Sequence, residues 1–564
     1  MLFYTWPFLI FMLVVLPGYF ALRRTRFWIL WLLAASYFFY AWWNPYYLLL
    51  VVYSTTLDYL LVALMDHCPR QESGEPLIAR LLHGPVRNVP LAASQINNAG
   101  PPTHLVSPPE SSNTQRRDPV LAAAFRISAL LTAILAAVAA FGPVTLRPAS
   151  LALATLVLFM AVGARLGSRG AWLVISIINN LALLLFFKYA RFVEENLNQV
   201  LHFLHLAYRF PDPSKLMPHG WEYALPVGIS FFTFQSMSYT IDFYLGKAPR
   251  ERNILRFATF VCFFPQLMAG PIERARQMLP QFQKAPPFRL DDVTDGMSLF
   301  LVGLFKKLAL ANYLGIYVDR VYNNNPDGFD ATTLVLATMA FAWQIFFDFS
   351  GYTDMARGLA RMLGFNLILN FNNPYLASGL GDFWSRWHIS LSTWFRDYLY
   401  IPLGGNRRGA FATYRNLFLT FLISGIWHGA AWTFAIWGLL HAAGVMLTRG
   451  LERSAFYRER VPLALKRAWV FLYVCFAWIF FRANSLSDAG TIVSRIFTAG
   501  WRSPQIPALM LALVCGIWIY QLTYESRFRP ILRYAPLRVA MAAGMMLYIG
   551  LCSTSGQAFI YFQF

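Results

Sequence analysis

The sequence predicts an all-α polytopic membrane protein, and three observations carry that prediction. Of 564 residues, 57% are hydrophobic and only 13% are charged, whereas ordinary globular domains run about 25% charged, so one soluble core could not hide the apolar groups. Long apolar blocks recur along nearly the whole chain, among them 28–43, 46–57, 120–141, 151–164, 171–187, 331–347, 468–481, 506–522 and 539–551. The basic residues sit between these blocks. The formal net charge of +20, from 47 Lys and Arg, therefore reads as the positive-inside bias of cytoplasmic loops and not as a nucleic-acid-binding face. A spanning helix needs roughly 20 apolar residues, which gives about ten to thirteen spans and re-entrant segments in contact with the lipid bilayer.

Taken in order, the first apolar block is followed by Arg23-Arg24-Thr25-Arg26, which puts the N-terminus outside the cytoplasm. That block lacks a basic n-region and a small-residue cleavage site, so it is expected to stay as the first span. Residues 1–65 then read as N-terminal transmembrane helices. Residues 66–118 break the pattern with Pro69, Pro76, Pro85, Pro90, Pro101, Pro102, Pro108 and Pro109 among polar residues, and a long, largely disordered loop without a catalytic role is expected. Residues 119–564 return to the apolar texture and form the expected core, with the catalytic region within 224–448. Cys68, Cys262, Cys475, Cys515 and Cys552 are scattered, with no CxxC or Cys/His spacing. They read as packing residues, and no metal is expected.

From Ala224 onward polar residues interrupt the apolar runs where a plain anchor would not need them. Leu225-Pro226-Val227-Gly228 opens this half, followed by Phe264-Pro265-Gln266-Leu267-Met268-Ala269-Gly270-Pro271, Phe347-Asp348-Phe349-Ser350-Gly351-Tyr352 and Asn370-Phe371-Asn372-Asn373-Pro374. Irregular backbone at membrane depth is tolerated only where protein or a water-filled cavity covers it. These breakers predict a cavity.

Two Trp-His pairs stand out, Trp387-His388 and Trp427-His428. The second lies in 416–448, a run without Asp, Glu, Lys or Arg, where an ionisable ring is a functional-site hypothesis by default. As one helix that run would stretch about 50 Å, well beyond a hydrocarbon core of roughly 30 Å. Gly425 and Gly429 bracket the histidine and offer a break, and Arg407-Arg408 and Arg449 put both ends on the cytoplasmic side. A short hairpin or re-entrant pair is expected, one long tilted helix being the alternative. A neutral imidazole there can act as general base on a hydroxyl attacking a thioester, or it can be hydrogen-bonded glue between helices.

His388 belongs to the segment 382–397, in which Asp382 and Arg386 are spaced i,i+4 and aromatic residues alternate with charges. That pattern fits a membrane-surface helix whose histidine faces solvent, or a residue lining the path to His428. Trp387, Trp427, Asp348, Asp382, Arg386 and Asn370 are the accompanying substrate or funnel candidates. Asp348 and Asp354 flank a Ser-Gly-Tyr turn, Asp348 either orienting a polar partner or marking the end of the block 331–347, Asp354 with Arg357 makes an i,i+3 pair, and Glu273, Arg274 and Arg276 read as loop charges, with substrate binding as the alternative. Gly404-Gly405-Asn406-Arg407-Arg408-Gly409 could receive the phosphates of a nucleotide such as coenzyme A through Arg407 and Arg408, and a glycine turn with positive-inside arginines explains it equally well.

These residues resemble the membrane-bound O-acyltransferase family, in its bacterial polysaccharide branch. The motifs are Ala34-Ala35-Ser36-Tyr37-Phe38-Phe39-Tyr40-Ala41-Trp42-Trp43, Pro226-Val227-Gly228-Ile229-Ser230-Phe231, Phe347-Asp348-Phe349-Ser350-Gly351-Tyr352, Arg386-Trp387-His388-Ile389-Ser390-Leu391-Ser392-Thr393-Trp394, Tyr398-Leu399-Tyr400-Ile401-Pro402-Leu403-Gly404-Gly405-Asn406-Arg407 and Tyr561-Phe562-Gln563-Phe564. The resemblance covers nearly all of the chain except 66–118, which is longer than the connection expected in the family. It implies a many-helix bundle around a funnel, with the histidine of the Trp-His-Gly signature, His428 here, as the essential residue and His388 as a supporting one. It further implies a multi-pass protein of the bacterial inner membrane with no bound cofactor. Such a protein moves an acetyl group from cytosolic acetyl-CoA through the membrane. A periplasmic acetyltransferase partner then places the group on an exported or cell-surface polysaccharide such as alginate. The alternatives are a transporter of polysaccharide or small molecules in which His428 relays protons, and a family member acylating teichoic acid, a lipid or a protein.

Overall fold

Why the apolar blocks become helices is elementary: in hydrocarbon every backbone N–H and C=O must be satisfied within the segment, and the helix does this. A computed structural model describes residues 1–69, 118–141, 147–217, 221–324, 326–502 and 508–552. Most of the polar 66–118 segment and the Tyr561–Phe564 motif lie outside the described residues.

The main helices, in chain order, are α1 (Trp6–Leu22), α2 (Trp28–Ala41), α3 (Pro45–Asp66), α4 (Pro119–Phe141), α5 (Arg147–Leu166), α6 (Arg169–Phe203), α7 (Ile229–Tyr244) and α8 (Ile254–Cys262). They continue with α9 (Leu290–Tyr322), α10 (Ala331–Met362), α11 (Leu380–Arg386), α12 (Ile389–Phe395), α13 (Gly409–His428), α14 (Trp432–Leu451), α15 (Leu463–Arg482), α16 (Leu486–Thr498), α17 (Ala508–Tyr524) and α18 (Ala535–Cys552). Seven of them, α3, α4, α6, α9, α10, α14 and α15, are long and apolar enough to cross a membrane, and shorter apolar helices add to these. No strand occurs among the described residues.

Backbone contacts divide the chain into two compact units, 1–62 with 176–564, and 63–175. In the smaller unit α4 and α5 pack along each other, and Arg169 donates to the Met65 carbonyl at 3.2 Å. In the larger unit the core is α10. Its apolar stretch is 83% buried, against 11% for α4, so α10 is surrounded by protein while α4 presents most of its surface outward.

Glycines let α9 and α10 meet closely. Gly296 faces Gly358 and Gly303 faces Gly351, and a Cβ on any of the four would strike the partner backbone. Small residues at such crossings let membrane helices approach backbone to backbone. The Ser-Gly-Tyr turn expected at 350–352 is therefore not a turn: α10 runs unbroken through it, because Gly351 serves the helix crossing. Across the same interface Lys307, in a π-helical stretch of α9, meets Asp348 at 2.6 Å with both side chains 3% exposed. Lys306 reaches Asp354 at 2.7 Å, and Arg357 approaches the same carboxylate at 3.5 Å.

The other three breaker segments, 225–228, 263–274 and 370–373, are irregular, and 263–274 is buried throughout. Glu273 and Arg274 lie in that irregular segment but are buried, so they are not solvated loop charges. Glu273 is fully buried and accepts the Ile368 N–H at 2.7 Å. Arg274 lies 4.5 Å over the Tyr398 ring and 3.6 Å from Asp397. Arg276 is exposed. Cys68, Cys262 and Cys475 are buried and free, and Cys515 is exposed.

Candidate active site

The run 416–448 folds as a hairpin of two 20-residue helices, α13 and α14. Each rises about 30 Å, so the hairpin is longer than a short re-entrant loop. The break comes at Gly429, which is extended (φ −165°) and ends α13 directly after His428. Gly425 plays a different part. It stays inside α13, where a Cβ would run into Phe434 and Gly438 of α14, so it brings the two arms together.

His428 thus stands at the tip of the hairpin, 4% exposed. Its ring lies between Trp427 (5.0 Å), Trp437 (5.0 Å) and Phe481 (5.4 Å). On its open side is a hollow of about 60 Å³ shared with Trp427, Lys188, Ser230, Phe231 and Met268. The irregular 225–228 segment forms part of that wall, with Gly228 at φ 77° pressed against the Leu267 and Met268 backbone.

His388 is fully buried, which removes the reading of 382–397 as a surface helix with a solvent-facing histidine. The segment is two seven-residue helices, α11 and α12, joined at Trp387-His388. The joint needs a left-handed residue, and His388 takes it at φ 42°. That conformation is uncommon outside Gly, Asn and Asp, and a residue held in it is held by its surroundings.

Asn370 supplies the hold. Its Oδ1 accepts from His388 Nδ1 at 3.2 Å, from the Ser390 N–H at 3.1 Å and from Ser390 Oγ at 3.0 Å, and its backbone carbonyl accepts the Ile389 N–H at 2.9 Å. A protonated Nδ1 places the imidazole lone pair on Nε2. Phe349 meets the ring edge-on at 4.7 Å. Phe231 connects the two pairs, with its ring 6.2 Å from His388 and 6.0 Å from Trp427.

The other candidates divide. Trp427 lines the hollow beside His428, whereas Trp387 is not in its lining and is buried in an aromatic cluster with Phe371, Phe383 and Trp478. Asp348 pairs with Lys307 at 2.6 Å. Asp382 and Arg386 pair at 2.7 Å as their spacing requires, and Arg386 continues to Glu525 at 2.8 Å, so both serve a link between α11 and the end of α17. Arg407 and Arg408 are exposed on the glycine turn before α13.

A larger hollow of about 370 Å³ lies along α13 one turn below His428. Thr420, Phe421 and Ser424 of α13 line it together with Trp384, Arg396 and Arg449. Its Asn406 comes from the glycine turn, whose two arginines do not line it.

Two residues escaped the sequence reading. His441 on α14 is fully buried in the same charge-free run, with its ring 4.7 Å from Trp437 and 4.9 Å from Trp384. Lys188 on α6 donates to the carbonyls of both Trp427 and His428 at 2.8 Å. The test that singled out His428, an ionisable ring in a charge-free run, would have found His441, whereas Lys188 stands directly after the apolar block 171–187 and reads there as its polar end. No group of three or more His, Cys, Asp or Glu able to hold a metal occurs among the described residues.

Comparison with known proteins meets this geometry. The model of the membrane-bound O-acyltransferase family matches residues 171–487, which hold both histidines, both hollows and Lys188. The chain is 37% identical over 434 residues to the Pseudomonas putida protein named Probable alginate O-acetylase AlgI, covering 72% of this chain and 86% of that protein. The Azotobacter vinelandii protein of the same name is 41% identical over 366 residues, 63% of this chain and 70% of its own. The Peptidoglycan O-acetyltransferase of Helicobacter pylori is 38% identical over 355 residues, 56% of this chain and 63% of its own. The chain is therefore a multi-pass membrane acyltransferase that belongs to the membrane-bound O-acyltransferase family.

Proposed function

We propose that this protein transfers an acetyl group from cytosolic acetyl-CoA across the bacterial inner membrane, for O-acetylation of an exported or cell-surface polysaccharide such as alginate, with His428 as general base. The observation that carries this reading is the pair of hollows along α13, the larger one at Thr420–Ser424 and the smaller one at His428 a single turn away. Positive-inside counting assigns Arg396, Arg407, Arg408 and Arg449 to the cytoplasmic face, so the larger hollow is the donor side. Its arginines suit the phosphates of coenzyme A, and its aromatic wall suits the pantetheine arm.

The chemistry needs a base, an oriented acceptor and exclusion of water. Neutral His428 takes the proton of the acceptor hydroxyl as that oxygen bonds to the thioester carbonyl carbon. The C–S bond then breaks, and the leaving thiolate takes the proton from the imidazolium. Trp427, Trp437 and Phe481 exclude water around the ring. His388, oriented by Asn370, supports the acceptor side. A periplasmic acetyltransferase partner receives the acetyl group and places it on the polymer.

The decisive experiment gives labelled acetyl-CoA to the purified protein in lipid nanodiscs, with and without His428→Ala. Donor consumption that depends on His428 is expected, and consumption unchanged in the variant would overturn the assignment. A peptidoglycan acceptor is the second reading, favoured by the likeness to the Helicobacter pylori protein. Analysis of which cell-surface polymer loses acetyl groups in a His428→Ala strain separates the two. With the family established, the transporter alternative has no remaining support.

A further inference from the structure

We propose that Lys188 is a positioning residue for His428, its side-chain amine clamping the end of α13 and so setting where the imidazole stands in its hollow. This inference rests on His428 being the base.

The last carbonyls of any helix have no partner within it, and in an apolar setting such a carbonyl is costly to leave unmet. At the end of α13 three consecutive carbonyls are met from one neighbouring helix. Lys188 Nζ donates to Trp427 O and His428 O, each at 2.8 Å, and Tyr189 Oη donates to Ile426 O at 2.7 Å. The amine also lies 5.6 Å from the Trp427 ring centroid.

A lysine is suited to this place. It brings several donors on one flexible stem, and that stem reaches the carbonyl end of α13, the negative end of its dipole, where a protonated amine is favoured. A serine or asparagine could fill one or two of these bonds but has no such stem.

The clamp is itself anchored. Two to three turns earlier on α6, Ser176 Oγ donates to Asp58 of α3 at 2.6 Å and Asn180 Nδ2 donates to the same carboxylate at 2.9 Å. Ser236 of α7 bonds that carboxylate as well. All four side chains are buried. The register of α6 is therefore fixed against α3 and α7, and Lys188 carries that fixed position to the tip of the hairpin. A shift of about 1 Å in a reacting group can cost on the order of 10²-fold in rate.

The test is steady-state acetyl-CoA turnover by purified Lys188→Met and Lys188→Arg in nanodiscs. Lys188→Met keeps the apolar stem and removes the donors. Its kcat should fall at least about tenfold while KM for the donor stays within about twofold, because the donor hollow is a turn away on α13. Lys188→Arg, which can still reach two carbonyls, should recover most of kcat. The proposal is overturned if Lys188→Met keeps wild-type kcat, if its loss is in KM alone, or if Lys188→Arg fails as badly as Lys188→Met.

Should Lys188→Met not fold, Tyr189→Phe removes one hydroxyl and leaves the lysine in place. A kcat lowered about threefold to tenfold at unchanged KM supports the clamp, and wild-type kcat overturns it. Turnover that survives His428→Ala would instead remove the base assignment, a result separate from any of these.

Discussion

The two Trp-His pairs, Trp387-His388 and Trp427-His428, are both buried, both packed in aromatic rings and both in contact with Phe231 or its hollow, yet the structure grips them differently. At His388 the ring itself is held, by Asn370, and the backbone is bent into a left-handed conformation to allow it. At His428 the backbone is held, by Lys188 and Tyr189 on the last carbonyls of a regular helix, and the ring stands against the hollow. A ring held at Nδ1 has its tautomer and direction fixed. A ring on a clamped helix end beside a cavity has space next to it for the group whose proton it would take.

Substitutions that disturb one pair and spare the other test that contrast. The largest effect is expected from His428→Ala, a loss of about 10²- to 10⁴-fold in kcat, the range for removing a general base, measured as labelled acetyl transfer. Asn370→Ala releases the other ring. It leaves the donors of His388 and Ser390 without their shared acceptor, which costs about 1–3 kcal/mol for each buried group left unsatisfied. It should lower both thermal stability and kcat, by about tenfold for the latter. His388→Asn is expected to be milder than His388→Ala, because asparagine tolerates the left-handed backbone; the two are compared by melting temperature.

Gly425→Ala touches only the hairpin. Its methyl meets the backbone of α14, and the overpacking should cost about 1–3 kcal/mol, seen as a lowered melting temperature together with a lowered kcat. The smallest effect belongs to the periphery of the His388 side. Glu525→Gln weakens the partly exposed links to Arg386 and Arg467 and should change stability by less than about 1 kcal/mol while leaving kcat unchanged.

Much of this was legible in the sequence, for reasons that differ from residue to residue. The charge-free run 416–448 was too long for one span and had to break, and the break fell at one of its glycines. Asp382 and Arg386 were legible because i,i+4 spacing is local. What was not legible depends on neighbours distant in sequence. Gly351 looked like a turn residue because its purpose, the close crossing with Gly303, lies 48 residues away across another helix. The left-handed backbone of His388 follows from Asn370 and has no spacing signature. Lys188 looked like the polar end of an apolar block, whereas α6 continues past it to Phe203. Glu273 and Arg274 looked like loop charges because their partners, Ile368 and Asp397, come from later in the chain.

The contrast between the two histidines comes down to a single side-by-side assay: labelled acetyl transfer from acetyl-CoA by wild type, His428→Ala and His388→Ala, purified into nanodiscs and checked for equal folding. His428→Ala should lower turnover by about 10²- to 10⁴-fold, while His388→Ala should retain a much larger fraction. Retained turnover in His428→Ala beside abolished turnover in His388→Ala would contradict this, and would move the base to the ring that Asn370 holds.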